Sequence, residues 1–207
     1  MDKKVGAVLL AAGSSRRMGR PKLLIGIGPE KRSVLEISLE NHIAGSLDWI
    51  FVVVAGWLDE LVARAEAYRS DRVRLVVMEA PCGMSDSLKA GWRRVQDEVG
   101  PDAVMISLAD MPLVSCSNID HMLEAYDAGT QPICVATCGG EWGHPVVIDS
   151  SLDDEIMALT GDRGAREILG RHRDSVLEVD MASPGVTCDV DRLDDIVELE
   201  SRLMGHE

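Results

Sequence analysis

Aromatic residues are scarce: one Phe, two Tyr and four Trp make up 3% of the 207 residues. The core must therefore be built from Val, Leu, Ile, Ala and Met. The five cysteines are odd in number and form no C-x-x-C pair, which excludes a disulfide framework and suits a reducing cytosol. Cys134 and Cys138 read as ordinary strand residues, since no second ligand pair follows them. No apolar run approaches the roughly 20 residues of a membrane span. The opening "MDKKVGAVLL" lacks the longer apolar stretch of a signal peptide, so a cytoplasmic protein with no membrane partner is expected. Positive charge is short as well: 21 Lys and Arg against 35 Asp and Glu leave a formal net charge of -14. That balance argues against a nucleic-acid binder, which needs cations to displace counterions. It leaves room for a small phosphorylated ligand, because one cationic loop can outweigh a distant acidic surface.

Short apolar runs alternate with amphipathic ones. "VGAVLLAA" (5–12), "WIFVVVAG" (49–56), "RLVVME" (74–79), "AVMISLAD" (103–110) and "PICVATC" (132–138) read as strands covered on both faces. Helices are expected over the stretch after Ser33, whose spacing to Glu36 forms a capping box, and over 57–69, 85–99 and 117–128. This alternation predicts an α/β protein, a Rossmann-like three-layer α/β/α sandwich with a mostly parallel sheet. One domain over 1–207 is expected, with a smaller insertion around 139–175 and a late strand. Ligands of such sheets bind beyond the carboxyl ends of the strands. That rule marks the loops after Ala12, Glu79 and Asp110.

The first of these loops lies in "VLLAAGSSRRMGRPKLL" (8–24). Ala11, Ala12 and Gly13 let a ligand approach the backbone, and Arg17 and Lys22 supply cations for phosphate oxygens. A nucleoside triphosphate wants all of these; a basic turn that only solubilises a strand end is the alternative. The spacing is not that of a Walker loop, since Gly13 to Gly19 is one residue too wide and Lys22 lies three beyond Gly19. The dinucleotide fingerprint G-x-G-x-x-G is missing too, which argues against a hydride-transferring enzyme.

"LAAGSSRRMGRPK" resembles the signature loop L-A-[AG]-G-x-x-x-R-M-G-x-x-K of the nucleotidyltransferases that act on molybdopterin. The paired alanines resemble the cytidylyltransferase branch, so the resemblance implies CTP through Ala12, with Arg17 and Lys22 on the triphosphate. "PCGMSDSLKAG" (81–91) is similar to the family's G-M-[ST]-x-S-L segment, which places Gly83, Ser85 and Ser87 beside base and ribose. Read without the family, Ser85 is an N-cap candidate, and Met84 only shapes the loop. "SLADMPLV" (107–114) resembles the segment carrying the main Mg2+ ligand, here Asp110; a turn-forming Asp is the alternative.

"EWGHPVVI" (141–148) resembles an acceptor-side G-H-P-V element and implicates His144. The other histidines, His42 among them, read as residues of helical or terminal polar surroundings. "LTGDRGAREIL" (159–169) resembles L-x-G-D-x-G-A-R and makes Asp162 and Arg166 acceptor contacts, a helix cap and an ion pair being the alternatives. "CDVDRLDDIVELE" (188–200) sits where the family has D-x-D-T-P-E-D-L, so Asp191 matches the second metal ligand, although Arg192-Leu193 replaces Thr-Pro. An acidic helix start stabilised by the dipole is the other reading.

The resemblance implies transfer of CMP from CTP to molybdenum-bound molybdopterin, with Mg2+ as cofactor and pyrophosphate released. The catalytic residues would be Lys22, Arg17 and Asp110. A molybdenum hydroxylase apoenzyme is the implied recipient of the product. The alternatives are GTP or another phosphorylated acceptor, and a non-catalytic carrier or chaperone of the cofactor.

Overall fold

The computed structural model describes residues 3–13, 20–80 and 83–204. In chain order it contains β1 (Val5–Ala11), the small hairpin β2 (Gly26–Ile27) and β3 (Arg32–Ser33), α1 (Val34–Ala44) and β4 (Trp49–Ala55). These are followed by α2 (Asp59–Glu66), β5 (Val73–Met78), α3 (Met84–Glu98), β6 (Ala103–Leu108) and α4 (Cys116–Ala128). The last third holds β7 (Ile133–Cys138), β8 (Glu141–Asp149), α5 (Asp153–Met157), α6 (Ala165–Arg171), β9 (Val176–Asp180) and α7 (Leu193–Met204).

The main sheet has seven strands in the order β5-β4-β1-β6-β8-β7-β9. β1 pairs in parallel with both β4 and β6, and β4 with β5. β8 is the reversed strand, antiparallel to β6 and to β7, while β9 returns parallel to β7. The segment 139–175 thus begins inside the sheet. Gly139 and Gly140, at φ 60° and 83°, form the tight turn that reverses the chain between β7 and β8.

Both sheet faces are covered, which is why the strands read as continuous apolar runs. Ala7, Leu9 and Ala11 of β1 and Ile50, Val52 and Val54 of β4 pack with α1, α2, α4 and α7. Val8, Phe51 and Val53, on the opposite face, pack with α3, α5 and α6 around Trp92. The capping box starting α1 is formed: Ser33 Oγ accepts from Glu36 N, and the Glu36 carboxylate accepts from Ser33 N.

His42 lies in the core rather than in polar surroundings. α1 is enclosed by the helices and loops around it, and the ring is fully buried. Its Nδ1 stands 2.7 Å from Ser38 O, so Nδ1 carries the proton, and Nε2 has no hydrogen-bond partner. Burial lowers its pKa to about 4, although the Ser38 carbonyl favours the cation. A folded-state pKa below the unfolded value means that stability is complete above about pH 6.5 and falls as the pH drops toward 4. The shift corresponds to a loss on the order of 3 kcal/mol. Urea unfolding at pH 7 and pH 4 is expected to show that loss in the wild type and a smaller one in His42→Asn. Equal pH dependence of the two proteins would contradict it.

Candidate functional site

The carboxyl ends of β1 and β6 open onto two hollows. The smaller, of about 220 Å3, is lined by Ala12, Gly13, Lys22, Ser87 and Asp110. The larger, of about 470 Å3, is lined by Trp142, His144, Arg166, Thr187 and Asp189. Leu10, Met84, Leu108 and Asp162 line both, so the two adjoin.

Lys22 belongs to a short 3-10 turn, Lys22–Leu24, that follows Pro21 and is anchored by the buried Leu23. Its ammonium lies 2.5 Å from Asp110 Oδ2 and 2.9 Å from Asp191 Oδ1. Asp110 follows β6 by one turn: Ala109 N still pairs with Leu10 O at 3.0 Å, and Met111 N returns to Leu108 O at 3.2 Å. The backbone then joins the two acidic segments, because Val190 N donates to Asp110 O at 2.8 Å. Asp191 N and Arg192 N both donate to Asp195 Oδ2, at 2.8 and 2.7 Å. Asp195 thereby orders the turn where Arg192-Leu193 stands and starts α7.

Ligand oxygens of Asp110, Asp189 and Asp191 all lie within 4.8 Å of one another. Asp189, in register with the family's D-x-D segment but not assigned as a ligand from the sequence, completes the group. Its signal was there: Asp189 and Asp191 alternate in "CDVD", and alternate residues of an extended segment share a face. Partial desolvation, and then repulsion from Asp191 and Asp110, push its pKa above the usual carboxylate range. Burial works to lower the Lys22 pKa, but the two carboxylates outweigh it and the net shift is upward.

Arg17 and Gly19 lie outside the described residues. Ala12, Gly13, Lys22, Ser87 and Asp110 come together around the smaller hollow. The Ala11 side chain points away into the core. Gly83, not Ser85, is the N-cap of α3. A Cβ on Gly83 would stand 2.5 Å from Gly161 O, so this approach of α3 to the 161 turn requires glycine. Ser85 lies within the first turn, tied by its N–H to Gly161 O at 3.1 Å, and its buried Oγ has no partner. Met84 is 43% exposed and walls both hollows, which is more than loop shaping.

On the far side, His144 is half-buried with Nδ1 3.3 Å from Ile106 O, and desolvation holds its pKa below the ordinary value. The ring is therefore neutral at pH 7. Asp162 does not cap α6, whose N-cap is Gly164 with no side-chain bond. Arg166 lines the larger hollow and makes no ion pair among the described residues.

The family model of the MobA-like NTP transferase domain matches residues 7–176, which include Lys22 and Asp110. The chain belongs to that family. Among curated relatives of this NTP transferase domain, the purine catabolism protein PucB of Bacillus subtilis is 29% identical over 167 residues, covering 78% of each chain. Nicotine blue oxidoreductase of Paenarthrobacter nicotinovorans is 28% identical, covering 94% of this chain and 96% of its own. The crystal structure of the Mycobacterium sp. strain JC1 homologue of Rv0371c superposes with a TM-score of 0.82 at 27% identity, covering 98% of each chain. Mycobacterium tuberculosis Rv0371c in complex with manganese superposes at 0.77 with 24% identity, covering 97% of this chain and 100% of its own.

The triad fits a hard divalent cation: all donors are carboxylate oxygens, converging from two loops that a backbone hydrogen bond ties together. The Lys22 ammonium provides the opposing charge there, its side chain only 12% exposed. Lys22→Met is therefore expected to raise affinity for Mn2+ without nucleotide by about tenfold, as one competing positive charge is removed. Electron paramagnetic resonance titration of free Mn2+ reads this directly. Unchanged or weaker binding would show that Lys22 does not compete for the triad.

Proposed function

We propose that this NTP transferase moves CMP from CTP to the terminal phosphate of molybdenum-bound molybdopterin. The products are pyrophosphate and molybdopterin cytosine dinucleotide. The observation that carries the reading is the position of the acidic triad where the two hollows meet: Asp110 faces the hollow with Gly13 and Lys22, and Asp189 faces the one with His144 and Arg166. Nucleotidyl transfer needs that arrangement, with a nucleotide on one side, a phosphorylated acceptor on the other and a charge-neutralising centre between them.

In this mechanism Ala12, Gly13 and Ser87 surround ribose and base, Gly83 and the buried Ser85 support that wall from behind, and Ala12 selects cytosine as the family resemblance implies. Lys22, with Arg17, takes the β- and γ-phosphates. The acceptor phosphate, already a nucleophile at neutral pH, attacks the α-phosphorus in line. One P–O bond forms to the acceptor as the bond to the β-phosphate oxygen breaks. Lys22 stabilises the charge gathering on pyrophosphate. Arg166 holds the anionic end of the acceptor, and Asp162 lies between the two substrates. His144, held neutral, orients the acceptor without adding charge.

Asp110, Asp191 and Asp189 would hold Mg2+, which neutralises the α-phosphate and the leaving group when bound. That a Mycobacterium tuberculosis protein of the same fold was crystallised as a manganese complex supports a divalent ion as the cofactor.

Pyrophosphate release tests the reading, with CTP, GTP, ATP and UTP each offered with Mg2+ and molybdenum-loaded molybdopterin. Acceptor-dependent release with CTP is the expected result. Release with GTP instead would move base choice away from Ala12, and release only with other phosphates would replace the acceptor. Binding of the cofactor with no release from any nucleotide would make the protein a carrier or chaperone. The oxidoreductase name of one relative adds a control: reduced nicotinamide cofactors are expected to remain unconsumed.

A further inference from the structure

Trp142 stands on the wall of the larger hollow, at the start of β8, and neither the metal nor the nucleotide gives it a task. Its indole is half-buried and held in place from two directions. Nε1 donates to Glu178 Oε1 of β9 at 2.7 Å, and the Arg173 guanidinium lies 5.4 Å from the ring centroid. The ring also packs against the buried cluster beneath it, so its orientation is fixed, and the part of its apolar surface that lines the hollow is presented at low entropic cost. Met84, exposed although large and apolar, walls the same hollow with an adaptable thioether. The polar side chains there are those of His144, Asp162, Arg166, Thr187 and Asp189, with Arg166 supplying positive charge for an anion. Such a lining suits a ligand with a flat ring at one end and an anion at the other. Thr187 and the carboxylates offer hydrogen bonds to a polyol and to ring substituents alike, so it is the apolar surface of Trp142 and Met84 that favours a flat ring.

We propose that Trp142 determines acceptor specificity, its indole serving as the stacking platform for a flat, fused nitrogen heterocycle that carries a phosphate. The inference rests on the larger hollow being the acceptor side, as argued above, and deepens that reading by naming the residue that tells a heteroaromatic acceptor from a sugar or alditol phosphate.

Direct binding to the full-length protein tests it without turnover. The probes are 6-hydroxymethylpterin monophosphate, followed by its own fluorescence, and ribitol 5-phosphate, followed by calorimetry. The wild type is expected to bind the pterin phosphate with strong quenching, as stacking requires, and to bind ribitol 5-phosphate more weakly. Trp142→Leu is expected to weaken pterin binding about tenfold or more and to abolish the quenching. Trp142→Phe is expected to restore most of the affinity, although it lacks the N–H that reaches Glu178. In both variants CTP binding with Mn2+ should match the wild type, which shows that the fold and the nucleotide side are intact.

Pterin binding by Trp142→Leu at wild-type strength would overturn the proposal. So would a parallel loss of CTP binding, which would make Trp142 structural. If the wild type preferred ribitol 5-phosphate, the platform would be refuted, whereas pyrophosphate release with that acceptor would leave nucleotidyl transfer standing.

Discussion

Asp110→Asn is expected to lower CTP-dependent turnover by about a thousandfold or more, equivalent to about 4 kcal/mol of transition-state stabilisation. The substitution keeps the side-chain shape and removes one negative charge. It takes an oxygen ligand from the triad and leaves Lys22, now 2.5 Å from a neutral group, drawn toward Asp191. Two effects of opposite sign act on stability. An ion pair is lost, but repulsion between Asp110 and Asp189, one of the causes of the raised Asp189 pKa, is relieved. The backbone link from Val190 N to Asp110 O does not depend on the side chain. Thermal unfolding is therefore expected to shift by no more than a few degrees while turnover collapses. Activity within tenfold of wild type would remove Asp110 from the centre of the site.

Gly143→Ala has the largest effect expected of a single methyl group. A Cβ at this position would stand 1.9 Å from Val186 O and 2.7 Å from Val186 C, a backbone neighbour that cannot rotate away. The segment beyond Val186 carries Asp189 and Asp191, so relief of this clash on the Val186 side displaces the segment bearing two of the three triad carboxylates. The cost is expected at about 2–4 kcal/mol in urea unfolding, with weakened Mn2+ binding. Gly170 supplies the matched control, since it lies inside α6 and a Cβ there meets nothing within 4 Å. Gly170→Ala should stabilise the protein by about 0.5–1 kcal/mol. Equal behaviour of the two variants would contradict the close packing of β8 against the acidic loop.

The parts of the fold that sequence made legible are those governed by local rules. The runs that became β1, β4, β6 and β7 are largely apolar because both of their faces are covered, β5 at the sheet edge is only partly buried, and the Ser33–Glu36 spacing announced the start of α1. β8 was harder to see. Gly143 and Pro145 read as strand breakers, yet the strand is held by neighbours on both sides, a tertiary effect that overrides propensity. The Gly139-Gly140 pair lies where the pattern loosens in sequence, and its positive φ angles are what the turn between β7 and β8 needs.

At the site, Lys22 and Asp110 stood out as charge beyond strand ends, and Asp191 through the resemblance of its segment to the family's acidic one. Asp189 and Trp142 did not, because their importance depends on which loops meet. Ser85 was misplaced as a cap for a similar reason. α3 begins one residue before it, at Met84, and the contact of Gly83 with the 161 turn that fixes this start joins segments far apart in sequence.

The most direct test of nucleotidyl transfer follows the α-phosphate itself. The protein is incubated with CTP labelled at the α-phosphorus, Mg2+ and molybdenum-loaded molybdopterin, and the products are separated. The account predicts that label appears in the acceptor in step with unlabelled pyrophosphate, requires a divalent cation, and is lost in Asp110→Asn. Label that stays in CTP while the acceptor is bound at this site would contradict it.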